Sequence, residues 1–140
     1  MPEPTPIDHP ISKLSFFIRH TAAWKRDVRE NAESLEEGLG KPGVLRDADV
    51  ARIKRVYTEQ QGDLSMFEAQ SARWSALPNL SGSRRTALKE LDDNLAELRR
   101  LNAQVLDTAA LLERATLERQ MGASDLEWGI AAIQGELPRM

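Results

Sequence analysis

Three stretches of the chain repeat their apolar residues every seven positions, glycine- and proline-rich breaks separate them, and the last stretch carries the longest leucine series. Together these predict an all-α protein: an antiparallel three-helix bundle of coiled-coil character with a long third helix and a short C-terminal helix or flexible tail. The expected helices lie at about residues 9–38, 48–77 and 83–121 of the 140, after a flexible arm over residues 1–8 and before an amphipathic tail over residues 122–140. A chain of this length is one domain, large enough to bury a core when its helices pack side by side.

The first helix follows a proline-rich arm in which Asp8 is placed to cap it, and Pro10 falls in the first turn, where the amide that proline lacks has no partner to lose. Leu14, Thr21, Val28 and Leu35 form one line of its face, and Phe17, Trp24 and Asn31 interleave at the three-four spacing that brings both lines together. The stretch EGLGKPG ends it, because three glycines and Pro42 remove helical preference within a few residues. That stretch fails as a phosphate-binding loop. The motif needs Ser or Thr after its lysine and a strand before it, whereas Pro42 follows Lys41 and an acidic helix end precedes it.

The second helix opens at RDADVARI, where Asp47 or Asp49 supplies an oxygen to the free amides of the first turn and negative charge to the positive helix end. Val50, Tyr57, Leu64 and Ser71 repeat every seven residues, interleaved with Ile53, Gln60, Phe67 and Trp74. The phase holds through Gly62, a residue that costs about 1 kcal/mol of helix propensity relative to alanine and is the expected place for a bend. LPNLSGS closes the helix.

The third helix starts near Ser81 or Ser83 and has the strongest pattern: Leu88, Leu95, Asn102, Ala109 and Thr116, with Leu91, Leu98, Val105 and Leu112 between them. No proline or glycine interrupts it before Gly122, so at about 1.5 Å per residue it reaches roughly 58 Å, against about 42–45 Å for its predecessors. Leu101, Leu106, Leu111 and Leu117 widen its apolar arc beyond what one neighbour covers, so two neighbours are required. In the tail, Leu126, Ile130, Ile133 and Leu137 fall at the spacing of one helical face, while Gly129, Gly135 and Pro138 weaken any helix. Such a tail either lies back over the bundle mouth with Trp128 as its plug or folds on contact with a partner.

Composition removes several function classes. With 19 Lys plus Arg against 22 Asp plus Glu, a net charge of -3 and a pI near 5.5, the chain has no field for attracting nucleic acid. The basic pairs Arg84-Arg85 and Arg99-Arg100 read as solvated helix faces. Cysteine is absent, which removes disulfides, thiolate nucleophiles and thiolate metal sites together. The start, MPEPTPIDHP, lacks the basic segment and the apolar stretch of about 7–15 residues of a secretory signal. No apolar run approaches the roughly 20 residues that span a bilayer, so a cytoplasmic protein without membrane insertion is expected.

The chemistry of catalysis is likewise missing from the pattern. The acids cluster as ESLEEG and LDDN on polar helix faces, His9 and His20 complete no Glu-x-x-His metal pair, and no Gly-x-Ser-x-Gly elbow occurs. No catalytic residue, metal or cofactor is expected, and the protein does not read as an enzyme. Among the aromatics, Phe17, Trp24, Phe67 and Trp74 sit on the seams as core residues, whereas Phe16 and Trp128 lie off them and are candidates for exposed contacts.

The stretch LDDNLAELRRLNAQVLDTAALLERATLERQ resembles the last long helix of the FlgN-type flagellar export chaperones, in which a leucine repeat leads into an asparagine followed by more apolar residues. Leu95, Leu98, Leu101, Asn102 and Leu106 carry the match, and LRDADVARIKRVYTEQQGDLSMFEAQ is similar to that family's middle helix. The resemblance covers about half of the chain. It implies a cytoplasmic chaperone that binds the amphipathic helical termini of flagellar hook-filament junction subunits, the hook-associated proteins, and delivers them to the export apparatus. Such a client would pack helix-in-groove on the end of the third helix and the tail, with Leu106, Leu112, Leu117, Met121, Leu126, Trp128, Ile130 and Ile133 as contacts. The alternative is a self-assembling structural or adaptor protein that forms a homodimer through the same leucine-rich helix.

Asn102 stands on the seam where a leucine is due. A buried amide lowers stability unless paired, yet it penalises wrong registers because its partner must be polar too. It either fixes register, with Gln60 as the expected partner, or marks the border between the bundle core and a partner-binding end.

Overall fold

The computed structural model describes residues 7–41 and 45–133, with side chains described as far as Ala115. A short 3-10 turn at Ile11–Lys13 leads into α1 (Leu14–Gly40), which is followed by α2 (Asp47–Ser75) and α3 (Gly82–Ile133). The chain forms the all-helical three-helix bundle that its heptads predict. Cross-helix bonds give the directions. Thr21 meets Asn94 and Gln104 meets Glu36, so α1 and α3 run parallel. Arg99 meets Glu68 and Lys54 meets Glu113, so α2 runs against α3.

The core follows the predicted seams. Leu14, Phe17, Val28 and Leu35 of α1, Val50, Tyr57, Leu64 and Trp74 of α2, and Leu88, Leu91, Leu95, Leu98, Leu101, Val105, Ala109 and Leu112 of α3 are all buried. The wide apolar arc of α3 is needed because both other helices pack on it, while α1 and α2 stand farther from each other. Burial of a leucine is worth about 1.5–3 kcal/mol, so α3 is the element on which the other two depend.

Polar residues set the register. Thr21 is fully buried, and its hydroxyl donates to the Phe17 carbonyl in its own helix. The Asn94 amide donates to Thr21 Oγ1 at 3.2 Å, and Lys25 Nζ donates to Asn94 Oδ1 at 3.0 Å, which pins α1 to α3. A slip of either helix would strand these groups in the core. Between α2 and α3, Arg99 grips both carboxylate oxygens of Glu68.

The ends depart from expectation in instructive ways. α1 begins at Leu14 rather than residue 9, and Asp8 does not cap it. Instead Asp8 accepts from Gln70 Nε2 at 2.9 Å and Arg73 Nε at 3.1 Å, while the Trp74 indole donates to the His9 carbonyl at 2.8 Å. These bonds strap residues 7–9 across the end of α2. Ser81 accepts the Arg84 amide in the first turn of α3, as expected, whereas Asp49 lies inside the first turn of α2 and accepts the amide of Arg46, the residue that precedes the helix. α2 passes through Gly62 without a break. The link from α2 to α3 turns at Asn79, whose φ of 60° lies in the left-handed region that asparagine tolerates better than most residues. A Cβ at Gly38 would lie 2.8 Å from Leu45 Cδ1, the tip of a flexible side chain that would have to shift to admit it.

The largest difference is the end of α3. The helix continues through Gly122 and Gly129 to Ile133, past the expected end at residue 121. Each glycine lowers helix propensity by about 1 kcal/mol without removing a hydrogen bond, whereas a proline would remove one. The first proline after Gly82 is Pro138.

Candidate functional site

Two regions are candidates for contact with other molecules. The first is the end of α3, to which the sequence assigns its partner-binding residues. Leu112 lies in the core at 7% exposure, and Leu106 is half-buried against that core, so both serve the bundle itself. Leu117, Met121, Leu126, Trp128, Ile130 and Ile133 lie on the helical backbone of α3 beyond Ala115, where side chains are outside the described residues. The last ion pair from α3 to another helix, among the described residues, joins Glu113 to Lys54 at 2.6 Å. Leu91, Leu95, Leu98 and Leu101 are buried within a single chain, so the dimer alternative rests on the leucines of the overhang beyond Ala115, where side chains are outside the described residues.

The second region is a groove between α1 and α2 that sequence reading does not identify. Because both helices lean on α3, their outer edges diverge and leave two adjoining hollows of about 410 and 480 Å³. They share Trp24, Asp27 and Gln60. Val28, Leu35 and Tyr57 form the buried floor of one, and half-buried Trp24 and Ile53 with exposed Val56 form its walls. The other runs on to His20, Met66 and Phe67.

An aromatic cluster forms one end of this groove. Phe17 anchors it in the core against Trp74 and Phe67, at ring-centre distances of 4.9 and 5.0 Å. His20 then stacks on Phe67 on one side and on exposed Phe16 on the other. The seam assignment of Phe17 and Trp74 to the core holds, whereas Trp24 and Phe67 are only half-buried and line the groove. Heptad position identifies a residue that faces a neighbouring helix. It does not show whether the two helices close over that residue. Phe16 is 55% exposed, as its place off the seam predicts, and the Trp128 side chain lies outside the described residues.

Asn102 sits beneath this groove in the α2–α3 interface, 1% exposed, and donates to the Tyr57 carbonyl at 3.1 Å. Its expected partner, Gln60, does not bond it. Asn102 Oδ1 and Gln60 Nε2 are instead both buried without a partner. The Asn31 amide donates to the Tyr57 hydroxyl at 2.7 Å, which ties the groove floor to α1.

The arrangement offers apolar surface and a few polar edges, the chemistry of helix recognition. Among the described residues, no group of three His, Asp or Glu side chains is placed to hold a metal ion, and no helix is long and apolar enough to cross a membrane. In comparisons with known proteins, the chain matches no protein-family model, no curated protein and no solved structure.

Proposed function

We propose that the protein is a non-catalytic cytoplasmic chaperone that holds amphipathic helical segments of a partner protein. The termini of flagellar hook-filament junction subunits are the client class implied by the FlgN-type resemblance. One observation carries the reading: α3 has 52 residues against 27 in α1 and 29 in α2. About 30 Å of helix follows the Lys54–Glu113 ion pair, and its sequence retains Leu117, Met121, Leu126, Ile130 and Ile133. Apolar residues at this density on a helix that outruns its partners favour capture of a second amphipathic helix over solvation.

The test is a titration of the purified full chain with a hook-filament junction subunit, repeated with Leu126→Glu/Ile130→Glu. The native chain is expected to bind as a monomer, and the double variant to lose capture while its thermal midpoint stays within a few degrees of native. Undiminished capture by the variant, or a native chain that is a stable dimer with no affinity for the subunit, overturns the proposal.

A further inference from the structure

We propose that the groove between α1 and α2 docks an amphipathic helix of another protein that carries lysine or arginine along its groove-facing edge, so that the bound helix completes a four-helix bundle. The inference is independent of what the end of α3 binds.

Shape supports a helix as the occupant. From Ile53 to Phe67 the groove follows α2 for about 21 Å, or roughly four helical turns. A helix packs against others at about 8–10 Å between axes, in a trough between two ridges of side chains. Here the ridges belong to α1 and α2, and α3 already fills the opposite trough. The apolar surface has the extent that a helix stripe covers: Val56 is 43% and Met66 67% exposed, beside half-buried Trp24, Ile53 and Phe67.

Charge specifies the occupant further. Asp27 and Asp63 stand on the groove from opposite helices, and neither forms an ion pair with any cation among the described residues. Two carboxylates flanking an apolar floor raise the affinity for a cation whose aliphatic stem lies along that floor. Arg52 stands at the other end of the groove, so the preferred helix carries an acid there and has a defined direction. The chain's own candidate is a poor match. Beyond Ala115, α3 offers Glu118, Asp125 and Glu127 against Arg119 alone, the wrong balance for Asp27 and Asp63. A different protein therefore fits the groove better than a second copy.

The experiment uses the full chain and two synthetic amphipathic peptides about five turns long. They have the same leucine stripe and carry either lysine or glutamate at the positions flanking it. The lysine peptide is expected to bind at least about tenfold more tightly at low salt, with the gap narrowing as salt rises. Asp27→Lys/Asp63→Lys is expected to reverse the preference, which also shows that the variant is folded. Met66→Gln should weaken the lysine peptide's binding without changing helix content. No binding of either peptide to the native chain overturns the proposal, as does a preference that survives the charge reversal. A native dimer that Met66→Gln dissociates would also overturn it, because a second copy would then be the occupant.

Discussion

At the scale of single residues, Asn102 Oδ1 is, with Gln60 Nε2, one of two buried side-chain atoms without a partner among the described residues, although its own amide bonds the Tyr57 carbonyl. A hydrogen bond of this kind contributes about 1 kcal/mol, and an orphaned buried oxygen costs about 1–3 kcal/mol, so the oxygen outweighs the bond. Asn102→Leu is therefore expected to raise the calorimetric midpoint by about 3 °C or more; a fall would show that the Tyr57 bond dominates. Asp8 gives the opposite case of a polar group fully used. Its hydrogen bond from Gln70, then that from Arg73, holds its carboxyl below the usual carboxylate range. A carboxyl lowered by folding contributes stability above its unfolded value near pH 3.9, and the contribution is lost as pH falls through the lower folded value. As pH falls below about 4 the native midpoint should fall more steeply than that of Asp8→Asn. Parallel curves would show that the strap adds nothing. Neither pairing was legible in sequence. The heptads placed Asn102 on a seam, and the capping rule placed Asp8 at a helix start, but which group each would meet depends on how two other segments approach.

At the scale of elements, the sequence is a reliable guide to where helices run and a weaker one to where they stop. The start of α2 and of α3 could be read to within a residue, because Asp49 and Ser81 act locally through their own neighbouring amides. The end of α3 could not. Gly122 and Gly129 are unfavourable in a helix without being forbidden, and only the balance along the whole segment decides whether they end it. Gly62 shows the same tolerance inside α2, where nothing lies within 4 Å of the position a Cβ would take. Gly62→Ala is therefore expected to stabilise the protein by about 0.5–1 kcal/mol, measured by chemical denaturation, since it removes unfolded-chain freedom at no steric cost. Binding in the α1–α2 groove should be unchanged, because Gly62 does not line it. A destabilised variant would mean that α2 needs a soft point there.

At the scale of the whole molecule, the core was legible because burial follows the heptads, whereas the groove was not, because it arises from the unequal spacing of three helices. Trp24 and Phe67 have the same heptad credentials as Phe17 and Trp74, yet only the latter pair is enclosed. That spacing also governs how the protein unfolds. α1 and α2 are joined to each other chiefly through side chains such as Phe17–Phe67 and Asn31–Tyr57, and each has its main packing surface on α3. If α3 holds both, damage to its centre must release both together. Leu98 is fully buried at that centre, so Leu98→Ala is expected to cost about 2–5 kcal/mol. In a Trp128→Phe background, tryptophan fluorescence follows Trp24 on α1 and Trp74 on α2, and far-ultraviolet dichroism follows all the helices. Both signals should shift to lower denaturant by the same amount and remain coincident, as a single cooperative transition requires. Separation of the two curves would show that one outer helix keeps its place after the other has gone, and that α3 does not act as their common support.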